Sequence, residues 1–197
     1  MTPLEASLRC IVDELVALGR SYALVGGLAV SARADPRLTR DADLAVSVVD
    51  DADAETLIGD LRTRYEVLAL VEQETTDRLA TVRLIGRNED RPVVVDLLFA
   101  SSGIEPEIVA DAEELEVFPG SVIRVASVGH LIAMKLLARD DRQRPADADD
   151  LKSLRAVASP KDWAVAERSV RLIAQRGADR GRDLRSALLA LRAEGPY

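Results

Sequence analysis

The sequence is poor in cysteine and histidine, the residue types that build disulfides and most transition-metal sites. It contains one cysteine, Cys10, and one histidine, His130. These counts exclude an internal disulfide and a multi-histidine metal centre. A bound metal would need oxygen ligands, which favours Mg²⁺ or Mn²⁺. We predict that Cys10 packs in the core and that His130 is a surface or partly packed helix residue rather than a catalyst.

The sequence also lacks a long apolar run and a secretion signal. No stretch approaches the ~18 apolar residues of a membrane span, and residues 1–19 are amphipathic and acidic. We therefore expect no membrane segment and a cytoplasmic location. The 197 residues, 48% hydrophobic and 30% charged, suffice for one domain or two small ones that share a core.

Negative charge dominates the chain except at its end. The net charge is −8, yet residues 152–197 contain ten Lys/Arg and five Asp/Glu, a balance of +5. A basic segment on an acidic body could contact a polyanion. Helices with solvated, arginine-rich outer faces would produce the same balance.

Residues 22–48 combine a glycine pair with two closely spaced aspartates. The sequence YALVGGLAVSARADPRLTRDADLAVSV predicts a strand, a short helix opened by Gly26 and Gly27, a loop, and a second strand with Asp41 and Asp43. Side chains at i and i+2 of a strand share a face. The repulsion between the two carboxylates favours a divalent cation, and a bare helix N terminus favours phosphate. The stretch therefore predicts a metal and a phosphate at one place.

A further aspartate, Asp96, interrupts an apolar run that reads as a strand over residues 92–99. A carboxylate buried there without a partner would be costly. Two interpretations remain open. Asp96 pairs with an arginine or caps a turn at the strand end, or it is a third ligand in the metal site of Asp41 and Asp43.

Apolar periodicity along the chain predicts an α+β protein. Helices are predicted at residues 3–19, 27–34, 50–64, 105–113, 127–139, from 146 onwards, and at 160–176 and 179–194, with a break at 140–145. Strands are predicted at residues 22–25, 42–49, 66–72, 79–86, 92–99 and, as a small hairpin, 115–125, with 87–91 as a hairpin link. We expect a mixed sheet with flanking helices over residues 1–125 and a C-terminal helical region over residues 126–197, packed on that core.

Two blocks of the sequence together resemble a known family. The first block is the glycine pair, a short helix, the pattern P-R-x-T-x-D-x-D on a strand, and a lone aspartate on a later strand. The second block is residues 125–154, VASVGHLIAMKLLARDDRQRPADADDLKSL. The first resembles the nucleotidyltransferase core of the DNA polymerase β superfamily. The second resembles the AbiEii/AbiGii-type nucleotidyltransferase toxins, which include the mycobacterial MenT toxins.

The resemblance implies roles for the residues of the first block. Asp41 and Asp43 would bind two Mg²⁺ ions, with Mn²⁺ as an alternative. Asp96 would complete the metal site and assist deprotonation of the acceptor hydroxyl. Gly26 and Gly27 would let the backbone approach the β- and γ-phosphates.

The resemblance also implies roles in the second block. Lys135 would bind the nucleotide phosphates or stabilise charge that develops at the α-phosphorus; the alternative is a snorkelling surface lysine. Asp147 and Asp150 share a helix face and would orient Lys135 or an arginine in the nucleotide site. Their alternative role is to cap the helix N terminus. The sequence does not decide which of Asp147, Asp149 and Asp150 is functional.

The function that the resemblance implies is that of a toxin in a toxin–antitoxin pair. The enzyme would move a nucleotide from an NTP to the 3′ acceptor end of tRNA and so block aminoacylation and translation. The partners would be the NTP, tRNA and a cognate antitoxin. Two alternatives are a nucleotidyltransferase that acts on a protein or small-molecule hydroxyl, and a non-catalytic binding module that kept the fold.

Thr39 is a candidate for regulation. Thr39 is in phase with Asp41 and Asp43, so its phosphorylation would place negative charge against the carboxylates and the nucleotide. An antitoxin with kinase activity would then switch the enzyme off. Alternatively, Thr39 only packs or caps the loop. Arg37 and Arg40 flank it and either pair with nearby acidic residues or contact phosphate.

Overall fold

The structure is a computed structural model that describes residues 1–73, 76–87, 93–139 and 145–194. Within these ranges it contains eight helices and seven strands. The helices are α1 Pro3–Ala17, α2 Gly26–Arg33, α3 Asp51–Leu61, α4 Glu105–Ala110, α5 Val128–Ala138, α6 Pro145–Val157, α7 Pro160–Gln175 and α8 Leu184–Ala193. The strands are β1 Tyr22–Val25, β2 Ala42–Val46, β3 Tyr65–Glu72, β4 Leu79–Gly86, β5 Val94–Leu98, β6 Glu113–Phe118 and β7 Ser121–Val125. The predicted link at 87–91 and the predicted helix break at 140–145 lie largely outside the described residues.

The strands form one mixed sheet in the order β3-β4-β5-β2-β1-β7-β6. Strand β2 lies at its centre, parallel to β5 and antiparallel to β1, and β1 is parallel to β7. This central position explains why β2 is apolar on both faces, with every residue except Asp43 buried. The mixed sheet with flanking helices and C-terminal helices confirms the predicted fold class.

The register of the central strands brings polar residues together at one end of the sheet. Asp43 on β2 is paired with Asp96 on the parallel strand β5. On the other side of β2, Asp43 is opposite Val25, the last residue of β1 before α2 begins. On the outer side of β5, Asp96 is opposite Arg83 of β4. Three strands and the start of α2 therefore meet around two carboxylates.

Helix α1 illustrates how local sequence fixes a boundary and a buried face. The Thr2 hydroxyl accepts a hydrogen bond from the Glu5 N–H, and the Glu5 carboxylate accepts one from the Thr2 N–H, both at 3.2 Å. This capping box starts the helix at Pro3. The prediction that Cys10 packs in the core is wrong, because Cys10 is exposed and lies outside the buried stripe. The apolar residues that form this stripe are Leu8, Ile11 and Leu15.

Helix α5 is the central helix of the C-terminal half. It packs against α2, α6, α7 and α8, which explains why it is apolar nearly all round. Gly129 allows α7 to approach, since a Cβ there would lie 2.3 Å from the carbonyl oxygen of Asp162. His130 is completely buried, so its predicted surface or partly packed position is wrong. The reason is that residues 128–133 are buried on every side of the helix.

Buried apolar residues of the sheet and of both the early and the late helices form a continuous core. The division of the chain at residue 125 stays a prediction. The last helix begins at Leu184 with Asp183 as its cap, later than the predicted start at 179. Arg180 and Gly181 have φ values of 56° and 69°, a left-handed backbone that an α-helix does not accommodate. No described helix has the length and apolar content needed to span a membrane.

Candidate active site

A cleft of about 670 Å³ opens where β1 leads into α2 and β2 begins. Helices α5 and α6 form its opposite wall. Three arginines, Arg37, Arg83 and Arg180, lie in its lining. The lining also contains the following residues that the sequence singled out: Gly26, Gly27, Asp41, Asp43, Asp96, Lys135 and Asp147. The fold therefore gathers both sequence blocks around one cavity.

Three carboxylates lie on the sheet side of the cleft. Asp41 immediately precedes β2 and is exposed, Asp43 is partly buried, and Asp96 is buried. Burial and the negative charges of Asp96 and Asp41 raise the pKa of Asp43 to about 6, while the positive charge of Lys135 opposes the shift. The three acids are thus close enough to interact electrostatically: the parallel pairing of β2 with β5 places Asp43 beside Asp96, and Asp41 lies just before β2.

Arg83 holds Asp96, so the interpretation in which Asp96 pairs with an arginine is correct, although the sequence did not identify which arginine. Its Nε donates to Oδ1 at 2.9 Å and its Nη2 donates to Oδ2 at 2.7 Å. This paired, charge-assisted geometry raises the pKa of Arg83. The sequence predicts that the two strands pair as an antiparallel hairpin. It does not fix the register of that pairing, and so it does not identify Arg83 as the residue opposite Asp96.

The donor set suits an oxygen-ligated divalent cation, although the ligands are not preassembled. Asp41, Asp43 and Asp96 offer only carboxylate oxygens, the ligand type that Mg²⁺ and Mn²⁺ prefer. Across the described part of the chain, no three acidic, histidine or cysteine side chains are gathered closely enough to form a metal cluster. Because a carboxylate has about four lone-pair sites, Asp96 can ligate a cation while it keeps Arg83.

Gly26 creates space for Asp43 at the start of α2. A Cβ on Gly26 would lie 1.9 Å from Oδ2 of Asp43, and the φ of Gly26 is 65°. Both facts require glycine. Val25, the N-cap residue, makes no side-chain cap to α2, and the helix start at Gly26 and Gly27 lines the cleft, where orphan N–H groups of a first turn need a partner. The start of α2 therefore has the character of an anion site beside a carboxylate.

A chain of alternating charges forms the opposite wall. Lys135 of α5 donates to Asp147 and to Asp150 of α6, each at 2.7 Å. Arg37 donates to the same Asp150 from Nε at 2.6 Å and from Nη2 at 2.9 Å. Asp147 and Asp150 are 4% and 1% exposed, so these charges are balanced within the network rather than by water. The structure thus places Lys135 inside the cleft, between two aspartates.

The third aspartate of α6 is directed elsewhere. Asp149 is exposed and pairs with Lys152 at 3.2 Å on the solvent side. Thr39 precedes β2 and lies outside it, so strand alternation does not extend to it. Its methyl group nevertheless lies beside α2, 2.9 Å from where a Cβ on Gly27 would stand.

Solved structures with a similar fold are nucleotidyltransferases. The lincosamide antibiotic adenylyltransferase LnuA aligns with a TM-score of 0.50 and 16% identity, over 78% of this chain and 98% of that one. ANT(2″)-Ia, solved with adenylyl-2″-tobramycin, aligns with a TM-score of 0.46 and 19% identity over 94% and 97% of the two chains. JHP933 from Helicobacter pylori aligns with a TM-score of 0.47 and 16% identity over 96% and 87%. No curated protein sequence is detectably similar to the chain.

The chain has a fold that solved nucleotidyltransferases share, and its cleft gathers carboxylates and cationic side chains at one place. More particularly, the chain belongs to the family described as the nucleotidyl transferase AbiEii toxin of type IV toxin–antitoxin systems, whose model matches residues 9–195. The family match confirms the family and the enzyme class that the sequence predicts. It also implies a nucleotide substrate and an antitoxin partner.

Proposed function

We propose that this AbiEii-type toxin transfers a nucleotide from an NTP to the 3′ end of tRNA in a Mg²⁺-dependent reaction. One observation carries the proposal. Asp43 and Asp96 are in register on parallel strands, beside an uncapped helix start that only glycine permits. A metal–triphosphate group needs carboxylates on one side and bare N–H donors on the other.

The carboxylates are the proposed metal ligands. Asp41 and Asp43 would each contact the two cations, and Asp96 would complete the set. Bound Mg²⁺ or Mn²⁺ would activate the acceptor hydroxyl and neutralise charge on the triphosphate. Arg83 holds Asp96 through both oxygens and so fixes the orientation of a group that we propose assists deprotonation of the acceptor.

The start of α2 and Lys135 are the proposed phosphate site. Backbone N–H groups at Gly26 and Gly27 would contact the β- and γ-phosphates, and Lys135 would stabilise charge at the α-phosphorus. Asp147 and Asp150 hold the Lys135 ammonium between them. The acceptor oxygen bonds to the α-phosphorus, the bond from that phosphorus to the bridging oxygen breaks, and pyrophosphate leaves while the hydroxyl proton passes to a carboxylate or to water.

The choice of tRNA as acceptor is supported by family membership and by charge near the cleft. Arg180 lines the cleft, and Arg176 and Arg182 lie on the same α7–α8 connection. This connection belongs to the segment with a balance of +5, and a basic rim favours a polyanionic acceptor. Blocked tRNA would stop aminoacylation and translation. A cytoplasmic location stays a prediction.

Regulation at Thr39 is a further part of the proposal. Its neighbour is the second glycine of the proposed phosphate site. A phosphate on Thr39 would add about two negative charges where the nucleotide phosphates would bind. An antitoxin with kinase activity would then inactivate the toxin.

Transfer assays with purified components test the proposal. The protein is incubated with Mg²⁺, each labelled NTP in turn and total tRNA, and Asp41→Asn serves as the matched variant. We expect label on tRNA with one preferred NTP and none with the variant or with EDTA. Label on a protein or on a small hydroxylated molecule would move the acceptor to the alternatives. No transfer to any acceptor would leave a non-catalytic binding module.

A further inference from the structure

We propose that Arg37 is a second phosphate-binding cation of the active site and that Asp150 is the positioning residue that couples it to Lys135. This inference rests on the proposed nucleotidyl transfer. Arg37 lies in the loop between α2 and β2, and its guanidinium lines the cleft. The resemblance implies only that Asp150 orients Lys135 or an unnamed arginine; the structure identifies Arg37 as that arginine.

The position of the guanidinium is fixed on two sides. Asp150 accepts from Nε and Nη2 at 2.6 and 2.9 Å, a fork geometry that removes rotational freedom from the side chain. On the other side, a Cβ on Gly27 would lie 2.5 Å from Nη2 and 3.0 Å from Cζ. The guanidinium therefore packs against the first turn of α2.

The two glycines consequently have different tasks. Gly26 makes room for the carboxylate of Asp43, and Gly27 makes room for the guanidinium of Arg37. One flank of the helix start thus carries a negative group and the other a positive group. A triphosphate seated on the helix N–H groups would have the proposed metal ligands on one side and Arg37 on the other.

The guanidinium keeps donors for a ligand. It has five N–H groups, of which two donate to Asp150. Within the described part of the chain, Nη1 contacts only the carbonyl oxygen of Leu38, at 3.5 Å. Arginine recognises phosphate through paired donors, so the remaining N–H groups suit a terminal phosphate oxygen.

Asp150 links this cation to the catalytic lysine. It is 1% exposed and accepts from both Arg37 and Lys135. One buried carboxylate keeps the two cations at a fixed separation before any ligand binds. Fewer side chains then have to be immobilised when phosphate binds, so the entropic cost of binding is lower. Neutralising Asp150 would release both.

A series of nucleotides with one, two and three phosphates tests the inference. Affinities for the nucleoside mono-, di- and triphosphate of the preferred base are measured with Mg²⁺ by calorimetry for wild type, Arg37→Gln, Arg37→Lys and the matched control Arg40→Gln. We expect Arg37→Gln to lose about tenfold or more of triphosphate affinity and little monophosphate affinity, with partial rescue by Arg37→Lys. Arg40→Gln should match wild type.

Two further variants separate a binding role from a structural one. Gly27→Ala should reduce triphosphate affinity by less in the Arg37→Gln background than in wild type, because the guanidinium that its Cβ would displace is absent there. In a double-mutant cycle, Arg37→Gln should reduce triphosphate affinity only slightly in a protein that already carries Asp150→Asn. The inference is overturned if Arg37→Gln binds all three nucleotides as wild type does, or if it loses the same factor of affinity for each of them. A wild-type protein that binds none of the four NTPs contradicts the proposed function itself.

Discussion

Replacing Arg83 by methionine should destabilise the protein and make its stability more dependent on Mg²⁺. The side chain of Asp96 is 11% exposed and that of Arg83 is 49% exposed. Breaking a fully buried pair costs about 3–5 kcal/mol, and an exposed pair contributes about 0–1 kcal/mol. Since this pair lies between the two cases, we expect a loss of about 2 kcal/mol in the free energy of unfolding.

That loss corresponds to a fall in Tm of roughly 4–8 °C for a chain of this size. The reason is that Arg83→Met leaves Asp96 buried beside Asp43 without its cation. A divalent cation bound at the carboxylates would replace the missing charge. We therefore expect Mg²⁺ to raise the Tm of Arg83→Met more than that of wild type.

The chain contains a matched control for this experiment. Arg78 pairs with Asp51 at 2.6 Å, and both side chains are substantially exposed. Arg78→Met should lower the free energy of unfolding by less than about 1 kcal/mol and should not alter the response to Mg²⁺. Equal Tm values for the two variants, or the same Mg²⁺ shift in wild type and Arg83→Met, would refute the electrostatic account of the Asp96 site.

Three other variants give separate tests. Gly26→Ala should abolish transfer while the protein stays folded by circular dichroism, because its Cβ would overlap the Asp43 carboxylate. Burial lowers the pKa of His130, so as pH falls below about 6.5 the histidine is protonated in the unfolded chain before it is protonated in the folded one. The free energy of unfolding, measured with urea, should therefore fall from pH 7.5 to 5.5 more steeply in wild type than in His130→Gln. Thr39→Glu should lose transfer activity, whereas Thr39→Ser should keep it, and a fully active Thr39→Glu protein would contradict the proposed regulation.

The sequence predicts the parts of the site that local patterns encode. Period-2 alternation places Asp41 and Asp43 on one face, and the glycine pair marks the start of α2. Helical spacing groups Asp147 with Asp150. Each inference needs only neighbouring residues, and the structure brings these six residues to the same region of the fold.

The contacts between those parts depend on tertiary structure. Arg37 and Asp150 are separated by 113 positions, and nothing in either local pattern indicates that they pair. Arg83 meets Asp96 only because β4 and β5 adopt one register out of several. Arginines are abundant in this chain, so composition alone could not identify the three that line the cleft.

The predictions that are wrong have physical explanations. His130 was expected near the surface because a lone polar residue usually marks the solvent face of a helix. Helix α5 has no such face there, since it is surrounded by other helices. The last helix was expected to begin at Asp179, but the left-handed backbone of Arg180 and Gly181 delays it.

The most direct test of the central claim is to follow two labels on the same NTP. The preferred NTP, labelled either on its α-phosphate or on its γ-phosphate, is incubated with the toxin, Mg²⁺ and tRNA, with Asp43→Asn in parallel. We predict that the α-label appears on the 3′ end of tRNA, that the γ-label is released with pyrophosphate, and that Asp43→Asn transfers neither. Transfer of the γ-label, or undiminished transfer of the α-label by Asp43→Asn, would contradict nucleotidyl transfer at this carboxylate site.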